Sequence, residues 1–263
     1  MAAIPLRHDV EYPESDGQPM GESTLHREVM AGLIQVLGDH YLDVPDVWVG
    51  GNLFLYYEEG NPLASVCPDV LVVQGVAKWP RRIYKLWEEG RVPSLIIEVT
   101  SEKTRHEDVV GKQRLYQRLG VEEYFLFDPE GDYLDPRLQG YRLEKGLEKG
   151  SYRPLEPRAD GALASRTTGL ILRPEGVNLR LKDSAIGEPL LWHAEIRTAW
   201  RAAEEKVRQE AAARHAAEEE ARQEAEARHA AEEEARREAE ARRAAEERIR
   251  ALEAELARLR SGP

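Results

Sequence analysis

The sequence has a single cysteine, Cys67, in 263 residues. An internal disulfide is therefore excluded, and the composition fits a reducing compartment. A catalytic thiol would also need exposure and a nearby base, so a small buried apolar role suits Cys67 better. No run approaches the about eighteen apolar residues of a membrane span, and the first residues show no charged-then-apolar leader pattern. We expect a cytoplasmic protein with no membrane partner. Basic charge is short as well: 37 Lys and Arg stand against 49 Asp and Glu, for a net charge of -12. That balance works against tight non-specific nucleic-acid binding by one copy. A local basic run remains in Arg81, Arg82, Lys85, Arg91, Lys103 and Arg105. It reads either as phosphate contacts or as a solvated loop.

The informative stretch runs from Cys67 to Asp128. Asp69 opens the apolar run Val70-Leu71-Val72-Val73, the pattern of a buried strand. In Ser94 to Thr100, alternation puts Leu95, Ile97 and Val99 on one face and Ser94, Ile96, Glu98 and Thr100 on the other. Thr104 with Glu107 is a capping-box pattern, which predicts a helix from about Arg105. On that helix Asp108, Lys112 and Tyr116 are four apart and share a stripe. Gly120 fits the helix end, and Val121 to Phe127 reads as another strand.

Carboxylates inside a sheet are costly unless an ion or a hydrogen-bonded partner compensates them. Two on neighbouring strands, with a lysine on the following helix, suit metal-dependent phosphodiester hydrolysis. Hard oxygen ligands hold Mg2+, and a lysine can orient water or steady transition-state charge. On this reading Asp69 and Glu98 are catalytic and metal-ligating, the Val99 carbonyl is a possible third ligand, and Lys112 is the cationic helper. Mn2+ is the alternative ion.

Pro68-Asp69, Glu98-Val99-Thr100, Asp108, Lys112, Tyr116 and Gly120-Val121-Glu122-Glu123-Tyr124 resemble the Uma2 (DUF820) endonuclease family of the PD-(D/E)xK restriction-endonuclease-like superfamily. The resemblance extends over roughly residues 11 to 192 and includes Tyr12-Pro13-Glu14, Glu58-Glu59-Gly60-Asn61-Pro62 and Trp87-Glu88-Glu89-Gly90. It implies an α/β fold: a restriction-endonuclease-like mixed sheet flanked by helices, with DNA as the partner. The superfamily lysine belongs two residues after the glutamate, where this chain has Thr100, and the resemblance implies supply from the helix by Lys112. It also implies accessory roles near the metal for His26 and Glu22 at the first helix, with a surface histidine as the plain alternative. Asp108 and Tyr116 complete the accessory set.

Elsewhere the patterns are structural. Leu25, Val29, Leu33 and Val36 predict a helix capped by Ser23 or Thr24. Val47 to Tyr57 predicts one or two strands bent near Gly50-Gly51. Trp79, Tyr84 and Trp87 sit among basic residues and either stack nucleic acid or, as the stronger reading, pack on the sheet. Beyond Asp128, glycine-punctuated segments predict a β-hairpin extension. The first domain spans residues 1–191.

Residues 192–263 are rich in Ala, Glu and Arg and repeat every fourteen residues, beginning at Arg201, His215 and His229. Fourteen is two heptads. One register places Val207, Ala217, Ala231, Ile249, Leu252, Leu256 and Leu259 at core positions, while pairs such as Glu218–Arg222, Glu224–Arg228 and Glu238–Arg242 support the helix. The tail is either a coiled coil joining two copies through Ile249 to Leu259 or a single solvated helix. Two functions follow: a Mg2+-dependent DNA endonuclease, or a nuclease-like fold without catalysis that serves as a scaffold. The acidic balance and Thr100 speak for the second, but the Asp69, Glu98 and Lys112 constellation together with the resemblance makes the first the reading adopted. An acid/base hydrolase using Asp69 and Glu98 is a weaker third.

Overall fold

The computed structural model describes residues 10–15, 23–102, 104–144 and 150–260. The chain forms two compact units, Met1–Ile196 and Arg197–Pro263.

In the first unit, helix α1 (Thr24–His40) starts at Ser23, whose side chain accepts the His26 N–H. It buries Val29, Leu33, Val36 and Leu37 of the predicted stripe together with His26 and Met30, while Leu25 is only partly buried. Strands β1 (Val47–Gly50), β2 (Leu55–Tyr56), β3 (Ser65–Val66), β4 (Val70–Gln74) and β5 (Tyr84–Lys85) follow, then the short helix α2 (Leu86–Glu89) and β6 (Leu95–Val99). A helical crossover leads to β7 (Glu123–Phe127) and then β8 (Leu138–Glu144), β9 (Ser151–Pro154), β10 (Leu163–Ala164), β11 (Leu170–Glu175) and β12 (Asn178–Asp183).

The main sheet has the order β1-β4-β6-β7-β8-β9, and within it only β6 and β7 run parallel. A parallel pair needs a crossover, and the helix between these strands supplies it. Every residue of β6 and β7 is buried, as befits strands covered on both faces. One face packs Val70, Val72, Leu95, Ile97, Phe125 and Phe127 against α1 and against the leucines of the β10-β11-β12 sheet. The other packs Leu71, Val73, Ile96, Tyr124 and Leu126 against Tyr116 and Val121. Glu98 lies on this second face by its alternation with Ile96. The hairpin segments beyond Asp128 divide: β8 and β9 extend the main sheet, and β10 to β12 form a sheet of their own.

The crossover departs from a plain α-helix. Glu107–Lys112 form a π segment that runs into α3 (Gln113–Leu119), and Gly120 ends it in the left-handed conformation at φ 89°. No side chain caps the π segment. Thr104 Oγ1 instead accepts the Ser101 N–H at 3.2 Å.

Helix α4 spans His193–Arg260. Its start belongs to the first unit: the Trp192 ring fills the space beside Gly32, and Gln35 Nε2 meets His193 Nδ1 at 2.9 Å. In the second unit the described side chains are exposed almost throughout. Glu224–Arg228 pairs at 2.8 Å as expected. Arg222 instead takes Glu219, and Arg242 takes Glu246, because each arginine reaches acids both before and after it. Such exposed pairs contribute a few tenths of a kcal/mol each. Among the described residues no helix is long and apolar enough to cross a membrane.

Candidate active site

The site sits at the carboxyl end of β6, where the chain leaves the sheet for the crossover. Asp69 precedes β4, and the pairing Val70↔Ile97 sets it beside Glu98 and Val99. The Val99 N–H donates to Asp69 Oδ2 at 2.8 Å, and the Asp69 N–H lies 3.3 Å from Glu98 Oε2. Lys112 Nζ reaches back from the crossover to Glu98 Oε2 at 2.9 Å and to Asp108 Oδ1 at 3.1 Å. The Tyr116 hydroxyl donates to Glu98 Oε1 at 2.7 Å. From α1, His26 Nε2 lies 3.2 Å from Asp69 Oδ2. Asp69, Glu98, Lys112, Asp108, Tyr116 and His26 are thus one cluster drawn from four parts of the chain: α1, the start of β4, β6 and the crossover.

The family Uma2, described as "Putative restriction endonuclease", matches residues 2–173. The chain belongs to the Uma2 family. No curated protein matches it. Among solved structures, one described as a "putative nuclease belonging to DUF820" from Anabaena variabilis is 15% identical, with a TM-score of 0.40 over 57% of this chain and 75% of that one.

Burial sets the electrostatics of this Uma2 site. Burial alone would raise the Asp69 carboxyl; the bond to His26, the Lys112 charge and the Val99 N–H outweigh it and hold the group below its ordinary value. Glu98 is fully buried, and burial drives its carboxyl well up despite Lys112. Burial raises Asp108 too, against the pull of Lys112. For Lys112, burial favours the neutral amine, but Glu98, Asp108 and Asp69 prevail and keep it an ammonium. Burial and the neighbouring Glu98 push the Tyr116 phenol well up, so it remains a donor.

Several side chains are not where pattern alone put them. His26 is 4% exposed, so it is no surface histidine. Glu22 and Lys103 lie outside the described residues. The basic run is dispersed. Arg81 is buried in a bidentate pair with Glu89 and lies over the Trp48 and Trp79 rings at 4.5 and 4.7 Å. Lys85 pairs with Glu88, and Arg82 with Glu14.

Three residues escaped pattern reading. Gly51 passes so close to Asp69 that a Cβ there would lie 1.9 Å from the Asp69 carbonyl oxygen. Glu123, in β7, is fully buried and accepts from Ser165, Arg166, Thr167 and Arg142. Asp128 gathers the N–H groups of Glu130, Gly131, Tyr133 and Leu134. For Glu123 the available signal was an acid in an apolar strand, the same one that marked Glu98.

Proposed function

We propose that this chain hydrolyses phosphodiester bonds in DNA with Mg2+ as its cofactor. The observation that carries the reading is the convergence of Asp69, Glu98 and Lys112 into one bonded cluster, although Thr100 occupies the place from which a lysine would more simply reach. The donor chemistry fits the ion. Three carboxyl groups face one ammonium, which Glu98 and Asp108 share, and the buried Thr100 hydroxyl has no hydrogen-bond partner among the described residues. Asp69 and Glu98 would hold the ion, with the Val99 carbonyl as a further donor. Among the described residues no three His, Cys, Asp or Glu side chains form a metal cage. Mg2+ commonly takes one or two carboxylates and completes its shell with water and substrate phosphate. When bound, it supplies the charge that acidifies a water and offsets charge on the phosphoryl group.

The chain's own residues do the rest. His26 and the Val99 N–H fix the orientation of the Asp69 carboxylate, and Tyr116 and Lys112 fix that of Glu98. Lys112, held as an ammonium, cannot accept a proton from water; it steadies negative charge developing on the phosphoryl oxygens. Nicking of supercoiled plasmid with Mg2+ or Mn2+ tests the reading. We expect cleavage by the wild type and none by Asp69→Ala or Lys112→Ala. No wild-type cleavage across metal and salt conditions would leave the non-catalytic scaffold as the better reading.

We also propose that two copies join through the end of α4. Ile249, Leu252 and Leu256 are 56%, 54% and 52% exposed and follow a heptad-like spacing. The side chain of Leu259 lies outside the described set. Sedimentation should show a dimer that Leu252→Glu converts to a monomer. A wild type that is monomeric at tens of micromolar would overturn this.

A further inference from the structure

The β10-β11-β12 sheet turns Leu170, Leu172, Leu179 and Leu181 into the core. Alternation then leaves Arg173, Arg180 and Lys182 on its outer face. Arg173 and Arg180 stand directly opposite each other across the strands, an arrangement that destabilises a sheet unless it is compensated. Glu175 meets Arg173 at 2.7 Å and Arg180 at 3.4 Å, and Glu195 grips Arg180 at 2.7 and 2.8 Å. These acids fix the two guanidiniums and offset their charge. Arg158 and Lys182, both exposed, join them around a groove of about 240 Å3 whose one acidic lining residue is Asp160.

We infer that this groove is a seat for nucleic-acid backbone phosphate, with Arg158 and Lys182 as its contacting cations. The inference rests on the nuclease reading and gives it a substrate-holding surface apart from the carboxylate cluster. A chain of net charge -12 repels a polyanion over most of its surface, so binding needs a local cationic seat. In the basic run of the sequence, Arg81 and Lys85 are engaged with Glu89 and Glu88, and the exposed Arg82 with Glu14. A guanidinium fork beside an ammonium matches phosphate oxygens in both geometry and charge.

The test is anisotropy of a labelled DNA duplex titrated with the wild-type protein in EDTA, which withholds the divalent ion needed for cutting, between 50 and 200 mM salt. Adding Arg158→Ala and Lys182→Ala should flatten the slope of log K against log salt by about 1.8, for two lost phosphate contacts at ~0.9 each. Arg158→Lys with Lys182→Arg should restore it, and Arg82→Ala should leave it unchanged. An unchanged slope in the double alanine variant, or polyglutamate competing as well as DNA, overturns the groove assignment alone. No salt-dependent DNA binding by the wild type, in EDTA or with the divalent ion, overturns the nuclease reading and the groove with it.

Discussion

Lys112→Met keeps most of the side chain's length and removes its ammonium. In the wild type that group lies 2.9 Å from Glu98 and 3.1 Å from Asp108, and the three side chains are 12%, 0% and 1% exposed. Removing one partner of a buried pair costs about 3–5 kcal/mol. The cost has a ceiling here, because one lost positive charge can be replaced by one proton on Glu98 or Asp108, carboxyls that burial already raises. From an ordinary value near 4.3, that proton costs about 1.36 kcal/mol per pH unit, or roughly 3.7 kcal/mol at pH 7 and roughly 1 kcal/mol at pH 5.

The sign follows from linkage. A group with a raised folded pKa contributes stability that is complete below its unfolded value and is lost as pH rises through the folded one. Lys112 itself is raised above 10.5, so its contribution is constant between pH 5 and 7. The gap in stability between wild type and Lys112→Met should therefore shrink on going from pH 7 to pH 5, by at most about 2.7 kcal/mol, because the raised Glu98 and Asp108 carboxyls of the wild type take up protons over the same range. Urea unfolding at pH 5, 6 and 7 measures it. A gap that stays constant with pH would mean that only packing was lost, and Lys112 would not be the cation of this site.

Glu123 should behave in the opposite sense. Burial would raise it, but Ser165, Arg166, Thr167 and Arg142 together hold it below its ordinary value, so its stabilisation is present above the unfolded pKa and lost as pH falls through the folded one. Glu123→Gln should cost about 2–3 kcal/mol at pH 7 and flatten the fall in melting temperature between pH 5 and 3; parallel melting profiles would exclude this. Gly51→Ala should cost about 1–3 kcal/mol by forcing the Asp69 backbone aside, and should lower plasmid nicking as well. Gly38→Ala, with nothing within 4 Å of the added carbon, should be neutral or stabilising by up to about 1 kcal/mol. Equal melting temperatures for the two alanine variants would count against the close approach.

What the sequence made legible was whatever depends on local periodicity. Alternation over Ser94 to Thr100 put Glu98 on the face of Ile96, and four-residue spacing put Asp108, Lys112 and Tyr116 on one stripe facing it. The π segment was not legible, since a shift from i→i+4 to i→i+5 bonding leaves no periodic mark in six residues. The burial of His26 depends on how α1 docks, which brings it to Asp69 across 43 positions. Arg81 misled for the same reason: charge in a run reads as exposed, yet Glu89 and two tryptophans enclose this one. Tertiary partners decide such cases.

Glu123 sharpens the point, because in the sequence it looks just like Glu98: an acid within an apolar strand. Both are fully buried in adjacent parallel strands. Glu123 is saturated by hydroxyls, backbone N–H groups and an arginine, and Asp128 by four backbone N–H groups; each ties a loop to the sheet. At the other cluster Asp108 is 1% exposed and depends on an ammonium that Glu98 also uses, and Thr100 is 2% exposed with no hydrogen-bond partner for its hydroxyl among the described residues. Folding alone does not favour that arrangement, since an unsatisfied buried polar group costs about 1–3 kcal/mol and well-paired ones were available a few residues away. Glu98 and Glu123 thus differ in their partners and not in their burial: Glu98 shares one ammonium with Asp108 and takes the Tyr116 hydroxyl, whereas Glu123 is held by a whole loop.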